Sequence, residues 1–160
     1  MVKIEITQQK GYNFLWIDDY LWMWDIPGET ECQEELAKKA YGDVLNIGYG
    51  LGVIHKYLKE NPKVKTISTI EKHKEVVDKC KEVFGEVIGE VIIDDFYNYS
   101  GDRKFDCVIG DAWAEVHPKS LKDYLKFKKN AQKFLKNNGK ILAWGQDYFE
   151  YLLNQKRHQC

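Results

Sequence analysis

One stretch constrains the fold of this chain more than any other: Val44-Leu45-Asn46-Ile47-Gly48-Tyr49-Gly50-Leu51-Gly52, an apolar run that breaks into three alternating glycines. The run reads as a buried strand, and Val53, Ile54, Tyr57 and Leu58 beyond it keep the spacing of a helix face. Glycine has no Cβ and tolerates positive φ, so a ligand can lie directly against the main chain of such a turn. Two further apolar runs stand in register with it: Val64 to Ile70 ends at Glu71, and Val87 to Ile93 ends at Asp94-Asp95. Three successive strand ends thus carry a glycine turn, a carboxylate and another carboxylate.

An open parallel sheet binds ligands in the crevice beyond the carboxyl ends of its strands, and a nucleoside suits this series. Glu71 can accept from both ribose hydroxyls, and Asp94 from the exocyclic amine of adenine. A nicotinamide fingerprint requires G-x-G-x-x-G, whereas Val53 follows the third glycine here, and no Gly-Lys-Ser/Thr follows to meet a triphosphate. Taken singly, the glycines also suit an ordinary strand-to-helix turn, and each carboxylate a solvated strand end. The ordered series favours the nucleoside.

With 160 residues, 44% of them apolar and 31% charged, the chain reads as one soluble globular domain over 1–160. Lys+Arg 24 against Asp+Glu 25 leaves a net charge of −1, so no global field recruits nucleic acid. The late lysines, Lys119 to Lys136, alternate with Leu121, Tyr124, Leu125, Phe127 and Phe134, as on the wet side of an amphipathic helix. No run reaches the length of a membrane span and the N-terminus lacks the apolar core of a signal peptide, so a cytoplasmic location with no membrane partner is expected. Cys32, Cys80, Cys107 and Cys160 are scattered with no histidine at ligand spacing; free thiols and no metal site are the expectation.

Residues 1–25 read as short strands, Lys3 to Thr7, Phe14 to Ile17 and Tyr20 to Trp24, the last two forming a β-hairpin about Asp18-Asp19. Both hairpin faces are apolar, with Trp16, Trp22 and Trp24 among them, so it is expected to cap the cleft, dock on the domain edge or make a homo-oligomer contact. Ile26-Pro27-Gly28 breaks the chain before a helix over 31–41. From there strands at 43–47, 64–70, 87–93, 105–110 and 140–144 alternate with helices at 51–60, 72–84, 119–136 and 147–154. Such alternation gives an α/β fold with a parallel sheet between two helical layers.

These residues resemble the Rossmann-like, class I S-adenosylmethionine-dependent methyltransferases. Val44 to Gly52 is similar to the family's first motif, Ile70-Glu71 to the acidic end of its second strand, and Ile92-Ile93-Asp94 to the adenine-contacting end of its third. Phe105 to Asp111 resembles the fourth-strand motif that faces the transferred group, and Phe134 to Lys140 the turn before strand five. The resemblance implies a three-layer sandwich over 43–155 with strand order 3-2-1-4-5, lacking the usual last two strands. It implies S-adenosylmethionine as cofactor, bound by Asn46, Gly48, Tyr49, Gly50, Leu51, Gly52, Glu71, Lys72, Asp94, Asp95 and Asp111, with Asp111 also catalytic.

Two subgroups come closest. Spermidine-synthase-like proteins share the N-terminal hairpin, a carboxylate-bearing helix before the glycine turn and a segment resembled by Ile93 to Phe96, whereas guanidinoacetate methyltransferases share a segment resembled by Trp24 to Pro27 and an aspartate at Asp111 that grips a guanidinium. Aminopropyl transfer needs an aspartate where this chain has Leu51, and a second loop aspartate that Asp111-Ala112-Trp113-Ala114-Glu115 lacks. The implied activity is methyl transfer to a small-molecule, amine-type acceptor; aminopropyl transfer and a non-catalytic protein holding S-adenosylmethionine or S-adenosylhomocysteine are the alternatives. Asp111 would orient the amine and accept its proton, with Glu115, His117 or Tyr97 assisting. Asp111 equally suits a cap or a contact to the cofactor's amino group, His117 a plain loop residue, and Trp113 either a pocket wall or packing.

Overall fold

A computed structural model describes residues 2–111, 113 and 116–157. The N-terminal strands β1 (Ile4–Gln9), β2 (Tyr12–Ile17) and β3 (Tyr20–Trp24) form an antiparallel sheet in sequence order. The expected hairpin is therefore the second half of a three-stranded meander. Its tight turns carry Lys10, Gly11, Asp18 and Asp19 at positive φ. One face is used: Ile4 and Leu15 are buried, with Ile6, Ile17 and Met23 partly so, against Tyr49, Leu51, Val53, Val76 and Cys80. Of the three placements open to it, the structure shows docking beside the glycine turn. The other face leaves Tyr20 and Trp22 exposed.

The chain then winds α1 (Pro27–Lys38), β4 (Gly42–Ile47), α2 (Val53–Glu60), β5 (Val64–Glu71), α3 (Lys74–Phe84), β6 (Glu90–Ile93) and β7 (Phe105–Gly110). It closes with α4 (Leu121–Ala131), β8 (Leu135–Ala143) and α5 (Gln146–Arg157). Pro27 does not break the chain ahead of the first helix but starts it, since a proline at the first helical position loses only an amide that would be orphaned anyway. The expected helix over 119–136 is divided, with 3₁₀ turns at Pro118–Ser120 and Gln132–Phe134 flanking α4.

All five strands pair in parallel in the order β6-β5-β4-β7-β8, the expected order 3-2-1-4-5. The middle strands β4 and β7 are buried along most of their length because both their faces are covered. Leu45, Val108, Phe127 and Phe149 meet in one buried cluster; Val44, Ile54, Leu58, Cys107 and Ile109 meet in another. Asn137 to Gly139, expected as a turn ahead of the last strand, instead bulge within β8: Phe105 lies opposite Leu135 and Cys107 opposite Lys140, with Asn138 at φ +68°. No helix among the described residues is long and apolar enough to cross a membrane.

Strand β8 is the sheet edge where further strands would add, and one side chain covers it. The Gln146 carboxamide accepts from the Ala143 N–H at 3.3 Å and donates to the Ile141 carbonyl at 3.0 Å. Those two backbone groups flank Leu142 and point away from β7, so the carboxamide takes the place of a parallel neighbour's peptide group. A bare edge invites pairing with another chain. Gln146→Ala is expected to cost about 1–2 kcal/mol of stability and to speed hydrogen exchange at the Ala143 amide. Exchange measured by NMR in the variant and the parent checks this; unchanged protection of Ala143 would contradict it.

Candidate functional site

Strand β4 ends in the glycine turn, which is built with hydrogen bonds from three sides. Gly48 N–H donates to the Ile70 carbonyl of β5 at 2.8 Å, and the Asn46 side chain donates to the Gly48 carbonyl at 2.8 Å. Gly48, Gly50 and Gly52 have φ of +88°, +57° and +72°. A Cβ at Gly48 would project into space with no atom within 4 Å, above the strand ends, whereas one at Gly50 would collide with Met23 Sδ of the meander. The open cradle is thus at Gly48, and β3 seals the turn's other side.

Glu71, only 7% exposed, locks the turn to the next strand. Its Oε1 accepts from Tyr49 N–H at 2.9 Å and its Oε2 from His73 N–H at 2.7 Å. Its own backbone carbonyl accepts from Asp94 N–H at 3.1 Å, so a single residue links the ends of β4, β5 and β6. Each carboxylate oxygen keeps a further lone pair for a ligand hydroxyl. Asp94 is exposed at the end of β6, its Oδ1 accepting from Asp95 N–H at 2.7 Å. Asp95 accepts from Tyr97 N–H at 2.8 Å and lies 4.0 Å from Lys72 Nζ, a surface pair that adds little stability.

Not every residue expected around the turn presents a side chain to it. The Tyr49 ring is buried against His55, with centroids 4.3 Å apart, and its hydroxyl accepts from Ile88 N–H at 3.1 Å. Leu51 is likewise buried, against the meander and α3. Both residues offer the cradle backbone alone. Beneath them His55 is fully buried, its Nε2 hydrogen-bonded to Thr69 Oγ1 at 2.8 Å and its Nδ1 without a partner among the described residues. The Cys80 thiol donates to the Gly50 carbonyl, and burial pushes its pKa up to about 12, which removes it as a nucleophile.

On the other side of β4, Ile109 of β7 lies opposite Asn46, so Asp111 and Gly48 follow at the same level of neighbouring strands. Asp111 Oδ2 accepts from the Gln33 side chain of α1 at 3.0 Å. Burial raises the Asp111 pKa, opposed by the Gln33 bond and by a backbone N–H. Glu29, one turn earlier on α1, is also raised, first by burial and then by the Asp111 charge, with the Gln33 amide opposing. Sequence reasoning missed both α1 residues, because starting that helix at 31 left Glu29 outside it and hid its i, i+4 pairing with Gln33.

The other expected helpers divide. Trp113 is packing: it is 5% exposed, donates to the Trp144 carbonyl at 3.1 Å and meets Tyr124, Phe127 and Phe149 edge-on. His117 caps the 3₁₀ turn, accepting from Lys119 N–H at 3.2 Å, as the loop reading has it. Tyr97 is half-buried under Lys126 Nζ, 4.2 Å from its ring, and its pKa is raised by burial and by Asp123 and Asp95. Glu115 lies outside the described residues, and no cluster of potential metal ligands occurs among the described ones.

Residues 31–155 match the family described as methyltransferase small domain. The chain belongs to that family. No curated protein matches it. Among solved structures, spermidine synthase from Thermotoga maritima aligns over 89% of the chain and 52% of its own at 19% identity and TM-score 0.64. An S-adenosylmethionine-dependent methyltransferase from Clostridium acetobutylicum aligns over 74% and 50% at 18% identity and TM-score 0.53. DhpI in complex with SAH aligns over 71% and 54% at 17% identity and TM-score 0.55. These likenesses establish the Rossmann-like methyltransferase fold, and the chain spans about half the length of each structure.

The buried imidazole beneath the cradle has a measurable consequence. Burial lowers its pKa from 6.5 to about 3, so the unfolded chain binds a proton at higher pH than the folded one. Stability is expected to fall as pH drops below 6.5 toward 3, by up to about 1.4 kcal/mol per pH unit from this group. Denaturant unfolding between pH 7 and 4.5 should show a shallower acid slope in His55→Gln; identical slopes would contradict it.

Proposed function

We propose that the chain binds S-adenosylmethionine across the ends of β4, β5 and β6 and transfers its methyl group to a small amine-type acceptor held at Asp111. The observation that carries the reading is the Glu71 hub: a buried carboxylate bracing an open glycine turn, with a second carboxylate level with that turn on the neighbouring strand, in a member of a methyltransferase family. The cofactor supplies an electrophilic methyl on a sulfonium. Gly48 lets the adenosyl portion approach the main chain, Glu71 takes the ribose hydroxyls, and Asp94 accepts from the adenine amine while Asp95 and Lys72 border that end. Asn46 holds the turn's shape. Asp111 aligns the acceptor nitrogen for in-line displacement and takes its proton, most of the acceleration coming from alignment.

The likeness to a spermidine synthase, which covers more of this chain than the other two alignments, favours aminopropyl transfer as the second reading. Against it, the position at which aminopropyl donors need a carboxylate is Leu51, 3% exposed and packed in the core. Calorimetric titration should show S-adenosylmethionine binding more tightly than its decarboxylated form; the reverse preference would move the chain to that reading.

Glu71→Gln turns one of the two accepting oxygens into an NH2 set against a backbone N–H, so it loses one bond of the brace together with the charge, and is expected to weaken S-adenosylmethionine binding by at least about 1.5–3 kcal/mol. Unchanged affinity would remove Glu71 from the site. Asp111→Asn is expected to slow methylation of an amine found by mass-spectrometric screening by about 10²–10⁴-fold, with cofactor affinity within a few-fold of the parent. If affinity falls with turnover, Asp111 serves the cofactor instead.

A further inference from the structure

We infer that the outer face of α4 is a docking surface for an anionic lipid membrane, on which the folded domain rests without inserting a helix. The starting point is a stripe of cations. Lys122, Lys126, Lys129 and Lys133 are all exposed and follow one another at steps of four, three and four residues, which brings them onto one side of α4 and of the 3₁₀ turn that continues it. The stripe runs for about 16 Å at the rise of a helix. The opposite side of α4 is committed to the core through Tyr124, Phe127 and Ala131, so the lysines face outward.

Their neighbours are neutralised and they are not. Lys128 pairs with Glu150, and Lys136 with Asp43 and Asp106. None of the four stripe lysines pairs with a carboxylate among the described residues. Two of them are held by neutral groups instead: Lys126 Nζ lies 4.2 Å from the centre of the Tyr97 ring, and Lys133 Nζ donates to Asn130 Oδ1 at 3.1 Å. Asn130 is buried and is itself fixed by donating to the Phe96 carbonyl at 2.9 Å. Lys104, ahead of β7, adds a fifth exposed ammonium by donating to the Lys133 carbonyl. Neutral acceptors place an ammonium without cancelling its charge, and Asp123 is the one acid of α4.

The composition of the stripe selects the partner. Protein interfaces are depleted in lysine and anchored by exposed aromatic residues, whereas the ring beside this stripe, Tyr97, is half-buried under Lys126. A single-stranded nucleic acid needs the same free ring faces to stack its bases. A cluster of lysines on one helix face suits a leaflet of anionic lipids, to which each ammonium adds its own attraction. Leu125, 39% exposed and set three and four residues from Lys122 and Lys129, gives the stripe an apolar point to bury among the headgroups. The net charge of −1 does not oppose this, because charges more than about 8–10 Å from the lipid surface are screened and only the face turned toward it counts.

The test is co-sedimentation of the full chain with vesicles of equimolar phosphatidylglycerol and phosphatidylcholine, against vesicles of phosphatidylcholine alone. Partitioning onto the anionic vesicles is expected to be at least about tenfold stronger at about 50 mM salt and to fall at least about fivefold by about 300 mM. The triple variant Lys122→Gln, Lys126→Gln, Lys129→Gln should partition onto anionic vesicles no better than onto neutral ones. Lys74→Gln, Lys79→Gln, Lys81→Gln on α3 removes the same charge elsewhere and should stay within about twofold of the parent. Glutamine is close to lysine in helix propensity, so both variants should melt within about 2 °C of the parent. If the α4 variant melts lower, the single variants Lys126→Gln and Lys129→Gln decide, each expected to weaken partitioning about fivefold. Equal partitioning onto the two kinds of vesicle, an α3 variant that loses as much as the α4 variant, or α4 variants that keep full binding would overturn the proposal. So would release of the chain from the vesicles by oligodeoxythymidylate at equal phosphate concentration, which would make the stripe a nucleic-acid face.

Discussion

The carboxylate of Glu71 is the constraint on which the site depends. Its two oxygens are occupied by Tyr49 N–H and His73 N–H, and its main-chain carbonyl by Asp94 N–H, so the glycine turn, the start of α3 and the end of β6 are positioned by one residue. A buried carboxylate is tolerable only when it is hydrogen-bonded, and here each oxygen accepts from one backbone amide. The turn can therefore stay open at Gly48 without collapsing. The meander contributes from outside: Met23 closes over Gly50, while Ile4 and Leu15 pack against the same shell that buries Tyr49 and Leu51.

The two sides of β4 differ in how their polar groups are met. On the β5 side the buried polar side chains among the described residues are satisfied by backbone and by one another, with the His55 Nδ1 the exception, and they hold shape. On the β7 side the carboxylate that follows the strand is shared with an amide and faces another acid, so burial there works against the folded state. The opposite end of the sheet shows the contrast: Asp106, Asp43 and Lys136 form a mixed-charge network whose carboxylate pKa values are lowered.

Much of this was legible in the chain because local pattern and global fold agree. Apolar runs ending in Gly48, Glu71 and Asp94 read as parallel strands once helices intervened, and the family resemblance supplied the sheet order that the structure has. What escaped was decided by tertiary context. Trp113 could have lined a pocket, but its indole N–H found the Trp144 carbonyl in an aromatic cluster. Tyr49 sits in the motif yet turns its ring inward onto His55, which spacing cannot reveal. Glu29 and Gln33 carried only a faint i, i+4 signal, and their partner is 78 positions from Gln33. The Gln146 carboxamide at the sheet edge is equally silent in sequence, where it reads as an ordinary residue at the start of a helix.

The central claim is that the ends of β4, β5 and β6 form one cofactor cradle hinged on Glu71. Backbone amide NMR during titration with S-adenosylhomocysteine tests it most directly. The account predicts that the largest chemical-shift changes fall together at Gly48 to Gly52, at Glu71 to His73 and at Asp94-Asp95, with one common affinity. Saturable changes centred elsewhere, or no change at the glycine turn, would contradict it.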